Sequence, residues 1–319
     1  MVPPSGASHL RSEFSLPRYL LATLAVLVAV ATAGAQNSRF RTRGDHATLD
    51  TTVAFNARGT VVLTAGQGDI HVTGSSNNQL RVHATSDADN IRFDASSARA
   101  TLEISSSRGS TDSRFDVTVP FGTKVEVRTQ SGDISVRGTK GEVDAHTTSG
   151  DMRVEDVAGH LDVNSISGGI EGSAIVGDAS LSMVSGDVQL SDVKGDLEVE
   201  TVSGDITLHY VTAKAVRART TSGEVRFEGT IDPAGRYEFT THSGDVGLAI
   251  PREVSAELSI KTWNGTFDSE FPVTLKPGDH GVGAGTKSFT FNIGHGDARI
   301  SAETFSGDIT IRSGGRGAR

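Results

Sequence analysis

Carboxylates recur in this chain at Asp133, Asp151, Asp187 and Asp205, each directly after a Ser-Gly pair and separated by 18 residues or a multiple of 18. A column of aspartates is hard-oxygen chemistry, the ligand type that calcium prefers. Calcium-binding nonapeptide arrays share the nine-residue half-period, but they carry Gly-Gly-x-Gly-x-Asp, whose extra glycines free backbone carbonyls to join the carboxylates. Here one Gly precedes each Asp, Gly169 and Glu224 interrupt the column, and the alternate turns carry Glu142, His160, Asp178 and Asp196 after Gly. That is not a uniform ligand set. The aspartates read instead as turn residues accepting hydrogen bonds from backbone amides, and no metal ligand is assigned.

Other chemistry is thinner. Thr129, Thr147, Thr201, Thr220, Thr241 and Thr304 stand two residues before the triplet, and stacked hydroxyls of this kind suit β structure. As an outward array they would suggest an ice- or carbohydrate-binding face, but Ser165 and Met183 break its flatness. The ten histidines show neither His-Glu-x-x-His nor paired zinc-ligand spacing. No serine lies in Gly-x-Ser-x-Gly, so a nucleophile elbow is missing from the sequence. Glu198 and Glu200 are outward acids of the kind that polysaccharide-cleaving β-helices use, and Trp263 with Phe267 would make a sugar-stacking patch. Solvated strand-face acids and aromatics packed at the end of a rod are the simpler readings. No catalytic or cofactor-binding residue is assigned.

Positioning these residues requires stacked copies of one small unit. Ser-Gly-Asp appears at 131–133, 149–151, 185–187 and 203–205, with Ser167-Gly168-Gly169 in the missing place. Looser copies follow at Ser222-Gly223-Glu224, Ser243-Gly244-Asp245 and Ser306-Gly307-Asp308. A short fixed period is the mark of a solenoid. Apolar residues recur just after the triplet (Ile134, Met152, Ile170, Val188, Ile206) and four before it (Val127, Ala145, Val163, Leu181, Val199). Their two-residue alternation gives two short strands per coil. A second glycine turn falls midway, at Gly141, Gly159, Gly177 and Gly195. A hexapeptide helix would put Lys140 and His146 in the apolar series of Ile134, which rules it out. The spacing predicts an all-β, single elongated β-solenoid, parallel β-helix-like, with about 18 residues per coil. Some fifteen coils would fit between residues 47 and 312. An antiparallel meander is the competing topology.

Composition agrees with a thin core. Aromatics are 5% of the 319 residues, so Val, Ile and Leu must fill the interior. The net charge of −9 gives no basic stripe for nucleic acid, and with no cysteine there is neither a disulfide nor a thiolate site. Near the start, Arg11 and Arg18 precede an apolar run ending in Ala33-Gly34-Ala35. Residues 1–35 thus read as a signal peptide, and its removal would leave a charge of −10. The run is short for a membrane span; the alternative is retention as an N-terminal anchor. Residues 36–46 read as a flexible lead-in and 47–120 as irregular N-terminal β coils. The regular solenoid occupies 121–312, with a variant C-terminal section and a loop-like stretch at 272–286. Residues 313–319 read as a disordered tail.

Several segments in order carry a family resemblance: Gly68-Asp69-Ile70-His71-Val72, Val117-Thr118-Val119-Pro120, the Thr-x-Ser-Gly-Asp series, Asn264-Gly265-Thr266-Phe267-Asp268-Ser269-Glu270-Phe271-Pro272, and Glu303-Thr304-Phe305-Ser306-Gly307-Asp308-Ile309. Over residues 47–312 the chain resembles the bacterial putative-adhesin family of exported β-solenoid domains, whose function is largely uncharacterised. The resemblance implies a β-solenoid outside the cytoplasm and says little about a ligand. The expected function is a non-enzymatic envelope or cell-surface protein, periplasmic, surface-bound or secreted, that contacts an envelope protein, a glycan or the cell wall. The alternative is a polysaccharide lyase or hydrolase on the same scaffold.

Overall fold

The structure is a computed structural model, and it describes residues 26–30, 38–42, 47–87, 90–105, 113–272 and 287–314. Among them are 26 strands and no helix, joined in one continuous sheet. Each regular coil runs along a first face, turns at Ser-Gly-Asp, returns along a second face and turns again at the alternate glycine. Val143–Ser149 and Met152–Ala158 make one coil; Leu161–Ser167 and Ile170–Val176 make the next. Pairing is parallel, with Val143 opposite Leu161 and Met152 opposite Ile170. This is the two-sided solenoid of about 18 residues per coil, and the parallel sense excludes a meander there.

Glycine in the triplet has two causes. Gly204 has φ 140°, outside the usual range of L-residues, and a Cβ on it would collide with the carbonyl oxygen of Gly186 one coil away. A second corner lies on the return strand. Asp156, Ala174, Asp192 and Tyr210 take φ of 53–56°, the left-handed region that non-glycine residues seldom enter. The kink reverses the strand's parity, so Val157, Ile175, Val193 and Val211 point inward as a third buried column beside those read from the sequence.

The lumen is filled by Val, Ile and Leu, including Val188, Ile206, Leu208 and Val225, all buried. Fully burying one such side chain contributes about 1.5–3 kcal/mol. Later coils are wider: Phe227, Tyr237 and Phe239 are buried together, and the Tyr237 hydroxyl donates to the Ala213 carbonyl at 2.7 Å while accepting from the Asp232 N–H at 2.8 Å.

At both ends the order of coils in space departs from the order in sequence. Thr60–Gln67 pairs with Arg99–Ser105 on one side and with Lys124–Ser131 on the other. Ala298–Ser306 likewise lies between Val225–Ser243 and Ala256–Asn264. Eleven parallel coils result among the described residues, a stack of about 50 Å at the usual strand spacing. Fifteen were expected. The shortfall arises because Gln79–Ser86, Asn90–Ala95 and Lys287–Ile293 pair antiparallel and close sheet edges instead of adding coils, which blocks edge-to-edge association.

Val26–Val30, inside the apolar run near the start, pairs parallel with Ala47–Ala54. Ser38–Thr42, within the segment read as a flexible lead-in, forms a strand antiparallel to Asn90–Ala95 and extends the first face. Ser313 closes the strand Ile309–Ser313 rather than opening the tail. The rest of residues 1–46 apart from these strands, the loop-like 273–286 and residues 315–319 lie outside the described residues. No helix among the described residues is long and apolar enough to cross a membrane.

Candidate contact surface

The aspartate column is a hydrogen-bonded ladder. Asp133 Oδ1 accepts the Asp151 N–H at 2.9 Å, Asp151 Oδ1 that of Gly169 at 2.8 Å, and Asp205 Oδ1 that of Glu224 at 2.8 Å. The two residues that interrupt the column therefore still donate their amides to it. Asp178 does the same for Asp196 at the alternate turn, at 3.1 Å. Asp308 accepts the Thr266 N–H at 2.7 Å, and hydrogen bonding from Thr266 holds its carboxyl below the usual aspartate range. Among the described residues no group of three or more His, Asp or Glu could hold a metal ion. Turn chemistry accounts for the column.

The threonine column faces inward, which overturns an outward ice- or sugar-binding array. Thr129, Thr147, Ser165, Met183, Thr201, Thr220, Thr241, Thr262 and Thr304 are all buried. The strand's alternation puts this position on the same side as the Val column two residues earlier. Met183 therefore replaces a buried threonine and leaves no gap in an exposed face. The hydroxyls turn back onto the turns: Thr241 donates to the Gly223 carbonyl at 3.0 Å and Thr304 to that of Gly244 at 2.9 Å.

The residue between this threonine and the triplet points outward, and there the surface is apolar. In coil order the column reads Ile166, Val184, Val202, Thr221, His242, Phe305 and Trp263. Ile166, Val184 and Val202 are each about half exposed, at 53, 49 and 52%. The His242 and Phe305 rings stack with centroids 4.9 Å apart and 8° between planes, and Trp263 lies 5.9 Å beyond Phe305. Beside this ladder runs a groove of about 660 Å³, with Glu200, Arg219, Thr240 and Glu303 on its opposite wall.

Sequence reasoning missed this ladder. The signal was present as apolar side chains at a position whose parity is outward, but threonine at that position in two coils, Thr148 and Thr221, obscured the column. Trp263 and Phe267 do not form one patch. Trp263 belongs to the ladder, whereas Phe267 packs on Phe289 and Phe291 at the end of the rod. Glu198 and Glu200 lie on the first face beside arginines, Glu198 at 3.3 Å from Arg217 and Glu200 at 3.7 Å from Arg219. Both arginines also approach Glu238, at 3.2 and 3.6 Å. The Glu238 carboxyl is held below the usual glutamate range, first by its hydrogen bond from Arg236 and then by these neighbouring charges.

No curated protein matches the chain. Three crystal structures resemble it. A putative adhesin from Bacteroides fragilis is 10% identical, covering 83% of this chain and 97% of its own, with a TM-score of 0.40. A putative cell adhesion protein from Clostridium sporogenes is 9% identical, covering 87% and 100%, with a TM-score of 0.22. A putative adhesin from Parabacteroides merdae is 9% identical, covering 86% and 96%, with a TM-score of 0.25. At these values they bear on neither ligand nor activity. The Toastrack DUF4097 family model, in contrast, matches residues 49–191 and 107–312, which together span nearly all the described coils. The chain belongs to the Toastrack DUF4097 family.

Proposed function

We propose that the protein is a non-enzymatic, adhesin-like component of the cell envelope or surface, exported through its N-terminal segment, whose first face makes contact with an envelope protein, a glycan or the cell wall. The observation that carries this reading is the exposed ladder from Ile166 to Trp263, aligned in register over seven coils. Contiguous apolar surface rimmed by polar side chains is the mark of an interaction site. The acids nearest it stand beside arginines, an arrangement that favours their ionised form and does not suit a general acid.

Retention of the purified protein on envelope fractions of its host tests the reading. Val184→Asp with Val202→Asp changes only outward positions and should release the protein; equal retention would overturn the ladder's role. Export has its own test. Cleavage after Ala35 makes Gln36 the mature N-terminus, removes the strand Val26–Val30 and leaves Ala47–Ala54 at the sheet edge. Soluble cytoplasmic protein with Met1 intact would contradict export.

A further inference from the structure

The ladder has a gap one rung wide. Neighbouring rungs are about 4.8 Å apart, and the His242–Phe305 ring separation of 4.9 Å shows rings stacked at that interval. One rung beyond His242 stands Thr221, which carries no ring, and one rung further stands Val202. Between the open face of His242 and the methyls of Val202 there is thus room of about 9.6 Å, two rungs. That is the thickness of a single ring in van der Waals contact on both sides.

The chemistry around the gap selects the kind of ring. One wall is apolar: Val202, His242, Phe305. The opposite wall offers Glu200, Arg219 and Thr240, with Arg219 between Glu200 at 3.7 Å and Glu238 at 3.6 Å. An aromatic side chain would fill the gap but leave that polar wall unmatched. A pyranose meets both, with C–H groups against ring and methyls and hydroxyls against carboxylate and guanidinium. The groove continues past the gap along the rod, toward Met183 on one side and Trp263 on the other, so it accepts a chain of linked rings. Glu200 and Glu303 on the wall, and the net charge of −9, disfavour an acidic polymer.

We infer that this groove binds a linear, uncharged polysaccharide lengthwise, with one sugar ring seated over Thr221 between His242 and Val202. The inference rests on the contact-surface reading and deepens it. The test titrates the purified protein calorimetrically with three hexasaccharides: β-1,4-linked glucose, β-1,4-linked N-acetylglucosamine and α-1,4-linked glucose. At least one should bind. Thr221→Trp, which fills the gap from an exposed position, should weaken it by at least about tenfold (about 1.4 kcal/mol), Thr221→Ser should not, and both variants should melt like the parent. Absence of binding by all three at millimolar concentration, or binding unchanged in Thr221→Trp, would overturn the inference. If hexasaccharides fail while Val184→Asp with Val202→Asp still releases the protein from envelope fractions, the sugar is wrong and the contact surface stands. Envelope retention indifferent to that double substitution sinks the contact surface itself.

Discussion

Asp187 Oδ1 accepts the backbone N–H of Asp205 at 2.9 Å, joining two coils through a side chain where the backbone ladder is interrupted by the turn. The same contact repeats along this edge of the rod, so each aspartate serves the coil that follows it.

Removing one acceptor should therefore have a local cost. Asp205→Ala leaves the Glu224 N–H without its partner and should destabilise by about 1 kcal/mol, with Asp205→Asn costing less because it keeps an acceptor oxygen. Millimolar calcium or a chelator should leave the thermal midpoint of the parent unchanged. A marked rise with calcium would show that the folded state binds it and would displace turn chemistry as the column's role.

Inward and outward positions should differ sharply on adjacent residues. Ile206 is fully buried opposite Val188 and Val225, while Thr207 is partly exposed on the outer face. Ile206→Asp buries an unpaired carboxylate and should cost roughly 3–5 kcal/mol; Thr207→Asp should stay within about 0.5 kcal/mol. Denaturant unfolding measures both, and comparable losses would contradict the register.

Coils should be interchangeable as wholes only. Deleting residues 185–202 joins Val184 to Ser203 and removes one complete circuit, so the fold should persist with a shorter rod. Deleting residues 185–193 joins unlike half-turns and should abolish the cooperative melt seen by circular dichroism. Equal tolerance of both would refute an 18-residue unit.

Glu238 gives a pH prediction. It accepts Arg236 Nε at 2.8 Å and lies near Arg217 and Arg219, and these partners outweigh the opposing effect of burial. Its folded pKa is lowered, so its contribution to stability is present above the unfolded value, about 4.3, and is lost as pH falls through the folded one. A carbon-13 NMR titration should place its midpoint below the ordinary glutamate value. Arg236→Ala should move that midpoint upward while costing under about 1 kcal/mol, because the arginine is mostly exposed. A midpoint that does not respond would assign the shift to the other arginines.

The solenoid itself was legible in the sequence because its causes are local. A triplet glycine such as Gly204 must take a positive φ beneath a neighbouring backbone, and apolar residues such as Ile206 and Leu208 must alternate to reach one lumen. Both constraints return every 18 residues and leave a visible period. The inward turn of Thr201 was readable by counting from Val199, but hydroxyl chemistry suggested the wrong face. The left-handed corners at Ala174 and Tyr210 carry no glycine to announce them, so the third buried column escaped the pattern.

Tertiary structure alone decided which coils become neighbours at the ends. A strand edge offers the same N–H and C=O groups to any partner, so nothing local tells Tyr237 that it will lie opposite Ile300. Insertion of the last coil between two earlier ones brings Phe305 onto His242 and Trp263, far apart in sequence. The apolar period was written in the chain; the surface on which those rings meet was set by pairing at long range.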